Sequence, residues 1–180
     1  ADVDAYREIA RKVRDWSGFG ALASYGHCTP IALRNLEACG NEGVPPEETL
    51  VLVADSRKAV MRNMRNEAEL RFLDENLFGP EGVECVHVKG ASLARRYYPD
   101  SSLRTHRDVD ILLRDDDRLK TIEFGARNGY RFFVAGRELE VTRDADITAL
   151  HEFGREVAML SPRLAVIELH KSIDKAMRIF

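Results

Sequence analysis

The chain has 180 residues, 44% of them hydrophobic, which is enough for a sizeable core and excludes disorder as its main state. Its 27 Lys and Arg against 30 Asp and Glu leave a net charge of −3, which excludes a general attraction to nucleic acid or to an anionic membrane surface. No apolar run approaches the roughly 18 residues of a membrane span, and the opening stretch ADVDAYREIARK is charged throughout, unlike a secretory signal, so a soluble cytoplasmic protein is expected.

Cys28, Cys39 and Cys85 are an odd number with no C-x-x-C spacing, which argues against a disulfide framework and a zinc site and reads as small buried hydrophobes. The chain begins with Ala and stops inside a helix-like stretch, KSIDKAMRIF, so a fragment of a longer protein is expected.

Residues 2–80 read as helical. Tyr6, Ile9, Val13 and Trp16 fall on one face, and Thr29-Pro30 supplies an N-cap and a first-turn proline for a second helix ending at Gly40. A third stretch begins after Val44-Pro45-Pro46 with Glu47 and Glu48 in its first turn. It repeats apolar residues at Leu50, Val53, Val60, Met64, Ala68 and Phe72 and stops at Gly79-Pro80, either as one helix or as two broken near Asp55.

From Val83 the pattern alternates. VECVHVKG reads as a strand, ASLARRYY as a short helix and RDVDILL as a strand; Asp115, Asp116 and Asp117 open a helix closed by Gly129. YRFFVAG and RELEVTR follow as a hairpin, and LAVIELH as a strand running into a helix. The glycine-rich stretch at 79–82 divides a helical region, 1–80, from an α/β core, 81–180, with a C-terminal truncation of that core in view.

Three stretches carry chemistry. In RDVDILL, Asp108 and Asp110 point to one face with α-carbons about 6.5–7 Å apart, while Val109, Ile111 and Leu113 face the core. Asp is a poor strand former, and two such carboxylates suit hard divalent cations; the plain alternative is an edge strand with solvated aspartates. At Val88-Lys89-Gly90-Ala91-Ser92 a strand runs through a glycine into a helix, a seat for an anion in principle, although no Walker loop is present. In Ile167-Glu168-Leu169-His170 the Glu and His share a face, so Glu168 supplies a third carboxylate or pairs with Lys171 or an arginine. Glu138 and Glu140 on the hairpin are rival third ligands.

K-G-A-S-L, then Y-Y-P-D-x-x-x-R-x-x-R-D-V-D-I-L-L, then I-E-L-H resemble a loosely characterised family of nucleotidyltransferase-like proteins within the polymerase-beta nucleotidyltransferase superfamily, over about residues 86–172. The resemblance implies an α+β fold: a helical N-terminal region followed by a mixed-sheet, polymerase-beta-like core. It implies two Mg²⁺ ions, with Asp108 and Asp110 holding both and Glu168 the one on the acceptor side. ATP or another nucleoside triphosphate would be the co-substrate. Lys89, Gly90 and Ser92 then fall at the triphosphate turn, with Ala91 where a second small residue is usual. Arg104 and Arg107 are placed to reach phosphate oxygens, or to balance the aspartates before metal arrives. His170 would contact the acceptor or take a proton, or be hydrogen-bonded at a strand end.

Other features carry less. Gly18-Phe19-Gly20 has no preceding strand, acidic residues at 115–117 suit a helix start, and Arg95-Arg96-Tyr97-Tyr98 falls on the helix behind the phosphate turn, so nucleic acid is not an expected partner. His27, His87, His106 and His151 show no helical metal-ligand spacing.

The resemblance therefore implies a Mg²⁺-dependent transfer of a nucleoside monophosphate to a hydroxyl of a small molecule or a protein. The alternatives are a catalytically inactive nucleotide-binding or interaction module of the same fold, and a metal-dependent phosphohydrolase.

Overall fold

Residues 3–172 are described by a computed structural model. The chain is α+β, helices first and then a six-stranded mixed sheet with interspersed helices. It divides into two compact units, residues 1–63 with 93–106, and residues 64–92 with 107–180.

In the first unit the face shared by Tyr6, Ile9, Val13 and Trp16 does not belong to one helix. Helix α1 (Val3–Ala10) ends early, and the Asp15 carboxylate accepts the Gly18 N–H at 2.8 Å to start α2 (Trp16–Tyr25). Helix α3 (Thr29–Ala38) has Pro30 in its first turn as expected, but the residue before it is Cys28, so Thr29 lies inside the helix and does not cap it. Helix α4 (Pro46–Leu73) passes Asp55 unbroken and continues into a π-helical turn, Asp74–Phe78. Ala10, Trp16, Leu33, Leu36 and Leu52 form a small core, with Trp16 and Phe19 edge to face at 5.4 Å. Asn63 holds the 104–106 segment, its amide donating to the Arg104 carbonyl at 3.2 Å and accepting the His106 N–H at 3.1 Å.

The second unit is built on strands β1 (Cys85–Val88), β2 (Val109–Leu113), β3 (Arg131–Val134), β4 (Arg137–Leu139), β5 (Glu156–Leu160) and β6 (Val166–His170). Their order is β1-β2-β6-β5-β3-β4, and only β2 and β6 run parallel. Between them lie α5 (Lys89–Tyr97), α6 (Asp115–Arg127) and α7 (Asp144–Phe153). The β3–β4 hairpin closes through Ala135 and Gly136, both at positive φ (50° and 76°), as a tight two-residue turn between antiparallel strands requires.

One sheet face is dry. Val109, Ile111, Val157, Met159, Ile167 and Leu169 are each fully buried against Leu70, Leu73 and Leu77 and against Ile122 of α6. At about 1.5–3 kcal/mol per buried side chain, this face holds the sheet in register, because a one-residue slip would turn its apolar residues outward. Helix α7 and strand β5 were not expected from the sequence; α7 is tied down by Arg118 of α6, which donates to the carbonyls of His151 at 2.8 Å and Gly154 at 2.5 Å. The helix expected at the C-terminal end falls largely outside the described residues. Among the described residues, no helix is long and apolar enough to cross a membrane.

Candidate functional site

Strand alternation builds the site. With Val109, Ile111 and Leu113 committed to the core, Asp110 is forced onto the opposite face of β2, where it is only 4% exposed. Asp108 stands just before the strand and is half-buried. On β6, Ile167 and Leu169 enter the core and turn Glu168 and His170 to the open face. Parallel pairing then sets Asp110 opposite Glu168. Asp110, Glu168 and His170 each offer a ligand atom, all within 4.8 Å of one another.

Two cationic groups meet these carboxylates. Lys89, at the turn from β1 into α5, has φ +54°, a left-handed conformation that is strained for a side-chain-bearing residue. Its Nζ donates to Asp110 Oδ1 at 2.5 Å. His170 Nε2 lies 2.9 Å from the same oxygen and 3.6 Å from Glu168 Oε2, and its Nδ1 is 3.7 Å from Glu156 Oε2.

The electrostatics follow from these contacts. Burial raises the affinity of Asp110 for a proton, but the hydrogen bonds from His170 and Lys89 outweigh it and hold the carboxyl below its ordinary value. Burial, then the like charges of Glu168 and Asp110, push Asp108 above its ordinary value. The hydrogen bond to Asp110, followed by the one to Glu168, raises His170 to about 9, so at neutral pH it is an imidazolium and a donor. The hydrogen bond to Asp110 also raises Lys89.

Gly90 is buried and Ser92 half-buried in the first turn of α5, where helical N–H groups have no intrahelical acceptor. Arg107 is exposed immediately before Asp108. Arg104 belongs to the first unit, where its guanidinium donates to the Thr105 carbonyl at 2.6 Å. Glu138 is held by Arg131 at 2.5 Å on the edge strand β4, and Glu140 is exposed beyond it; β3 and β5 stand between β4 and β6. Sequence reasoning overlooked Glu156. Its signal was the alternation in EVAML, where Val157 and Met159 are fully buried and Glu156 is exposed.

The chain is thus an α+β protein in which two carboxylates on neighbouring parallel strands and one histidine form a cluster that could hold a metal ion, beside a strand-to-helix turn. Residues 12–178 match a family described as uncharacterised nucleotidyltransferase, and the chain belongs to that family. Neither a search of curated proteins nor a search of solved structures finds a match to it.

Proposed function

We propose that the protein is a Mg²⁺-dependent nucleotidyltransferase that moves a nucleoside monophosphate from ATP or another nucleoside triphosphate to a hydroxyl group. The observation that carries this reading is the register pairing of Asp110 with Glu168, with Asp108 two residues upstream and the N-terminus of α5 beginning at the end of β1, the neighbour of β2. Its three free cysteines accord with a reducing compartment such as the cytoplasm.

The donor set fits Mg²⁺. Asp108, Asp110 and Glu168 are hard oxygen ligands, and burial, followed by the like charges of Glu168 and Asp110, raises the affinity of Asp108 for a proton. Lys89 and His170 compensate the charge of Asp110. Bound there, Mg²⁺ would neutralise charge on the triphosphate and make the acceptor hydroxyl more acidic.

The protein's own groups position the reactants. The first-turn N–H groups of α5 and the Lys89 ammonium receive phosphate oxygens. Glu168 accepts a hydrogen bond from the acceptor hydroxyl and orients its oxygen for in-line attack. The acceptor oxygen bonds to the α-phosphorus, the bond from that phosphorus to the bridging oxygen breaks, pyrophosphate leaves, and the hydroxyl proton passes to water. His170, already protonated, donates to the carboxylates and holds their orientation. Catalysis is then mostly positioning and electrostatics.

Titration of Mg²⁺-ATP and Mg²⁺-GTP into the wild-type chain and the Asp108→Asn/Asp110→Asn double variant, by calorimetry, tests the reading. Metal-dependent binding lost in the variant is expected; absence of binding to the wild type overturns it.

A further inference from the structure

The open face of the sheet does not end at Glu168. Cross-strand register places Ala158 of β5 beside Glu168, Phe133 of β3 beside Ala158, Glu156 beside His170, and Leu160 beside Val166. Because pairs in register lie on the same face, these residues continue the surface that carries the carboxylates. All of them but His170 line a cavity of about 300 Å³, with the β3–β4 turn forming one wall. Ala158 keeps its floor low between Glu168 and the Phe133 ring.

The charge of this cavity is one-sided. Among the described residues its lining holds Glu156 and Glu168 and no basic side chain. The cations on the same face are already engaged: the His170 imidazolium and Lys89 are hydrogen-bonded to Asp110, and the Arg131 guanidinium sits 5.5 Å from the Phe133 ring centroid and is held by both carboxylate oxygens of Glu138, at 2.5 and 2.6 Å. Glu168 faces the proposed reaction centre, whereas Glu156 is 58% exposed, with His170 Nδ1 at 3.7 Å and the charge of Lys89 also acting on it.

We infer that this cavity is the acceptor site and that it selects an amino alcohol: a hydroxyl compound with an apolar or ring-shaped body and a protonated amine. The body lies on Ala158, Leu160, Val166 and Phe133, the ammonium pairs with Glu156, and the hydroxyl reaches Glu168. An acceptor carrying a carboxylate or phosphate is repelled by both glutamates. Protonation also removes the nitrogen lone pair, so the oxygen is the nucleophile. This inference rests on the transferase reading above.

A matched series separates the possibilities. Phenylethanolamine, styrene glycol and mandelate each carry a benzylic hydroxyl on a phenyl ring and are cationic, neutral and anionic, respectively, near pH 7.5. Their dissociation constants for the 180-residue chain are measured by ligand-detected NMR, and metal-dependent ATP binding is measured on the same preparation. Phenylethanolamine is expected to bind at least about tenfold more tightly than styrene glycol, with mandelate weakest. Glu156→Gln should bring the three to within about threefold of one another, and Ala158→Phe should expel all of them by filling the floor.

Equal binding of the three, tighter mandelate, or a preference that survives Glu156→Gln overturns the inference while ATP binding leaves the transferase reading standing. Loss of ATP binding in the wild-type chain overturns that reading, and this inference with it.

Discussion

Asp110 and Glu168 face one another across parallel strands β2 and β6, and the same His170 nitrogen approaches both, at 2.9 and 3.6 Å. One imidazolium therefore helps neutralise two carboxylates that the chain itself brings together.

Asp110→Asn keeps the size of the side chain and removes a charge that Lys89 and His170 both contact. Turnover should fall by about a hundredfold or more, with Mg²⁺-nucleotide binding weakened and the fold intact. Pyrophosphate release checks the rate, and circular dichroism checks the fold. Unchanged turnover would remove Asp110 from the reaction.

In metal-free protein His170 makes stability depend on pH. Its folded value, about 9, lies above the ordinary 6.5, so its contribution is complete below about pH 6.5 and is lost as pH rises through about 9. Asp110, Glu168, Glu156 and Lys89 are the charged groups facing it. The contribution is on the order of 2 kcal/mol. Urea unfolding in chelator at pH 6 and pH 10 should show this loss in the wild type and a smaller one in His170→Asn. Identical pH dependence in the two proteins would contradict the assignment.

Glu69 is fully buried, accepts hydrogen bonds from Arg163 at 2.8 and 3.0 Å, and is also hydrogen-bonded by the Tyr130 hydroxyl. Arg163→Met leaves this carboxylate without its cation and should destabilise the protein by about 3 kcal/mol. Glu69→Gln in the same background should recover part of the loss, because it removes the unpaired charge. A denaturant midpoint series reads both effects.

Burial, then the carboxylates of Asp74 and Asp117, push the Cys85 thiol up to about 11. At pH 8 its thiolate population should be about a hundredfold below that of an ordinary cysteine. Alkylation by iodoacetamide, followed by peptide mass spectrometry, should therefore be slow at Cys85 in native protein and fast in urea. Equal rates would show that the thiol is not shielded.

Much of the local structure was legible because it depends on near neighbours. The alternation in RDVDILL and LAVIELH marks β2 and β6, the Ala135-Gly136 turn falls between the expected hairpin strands, and Asp115, Asp116 and Asp117 begin α6. Strand β5 escaped notice although Val157 and Met159 alternate, since a five-residue run beside Gly154 gives little to count. The early end of α1 was hidden as well, because the apolar spacing through Trp16 looks continuous until Asp15 caps a new helix.

By itself, the order of residues determined that Glu168 and His170 share a face, set by the two-residue period of an extended chain, whereas Asp108, expected to share a face with Asp110, stands just before β2. Only the tertiary structure decided which faces meet. It set β6 against β2 rather than placing the Glu138 strand there, buried Asp110 to 4% exposure, and delivered Lys89 and His170 to one of its oxygens. It also inserted β5, and with it Glu156 and Ala158, between β6 and β3. The physical reason is that strand pairing is non-local: burial of the apolar face selects partners and register far apart in sequence, and the charges on the opposite face are carried with them.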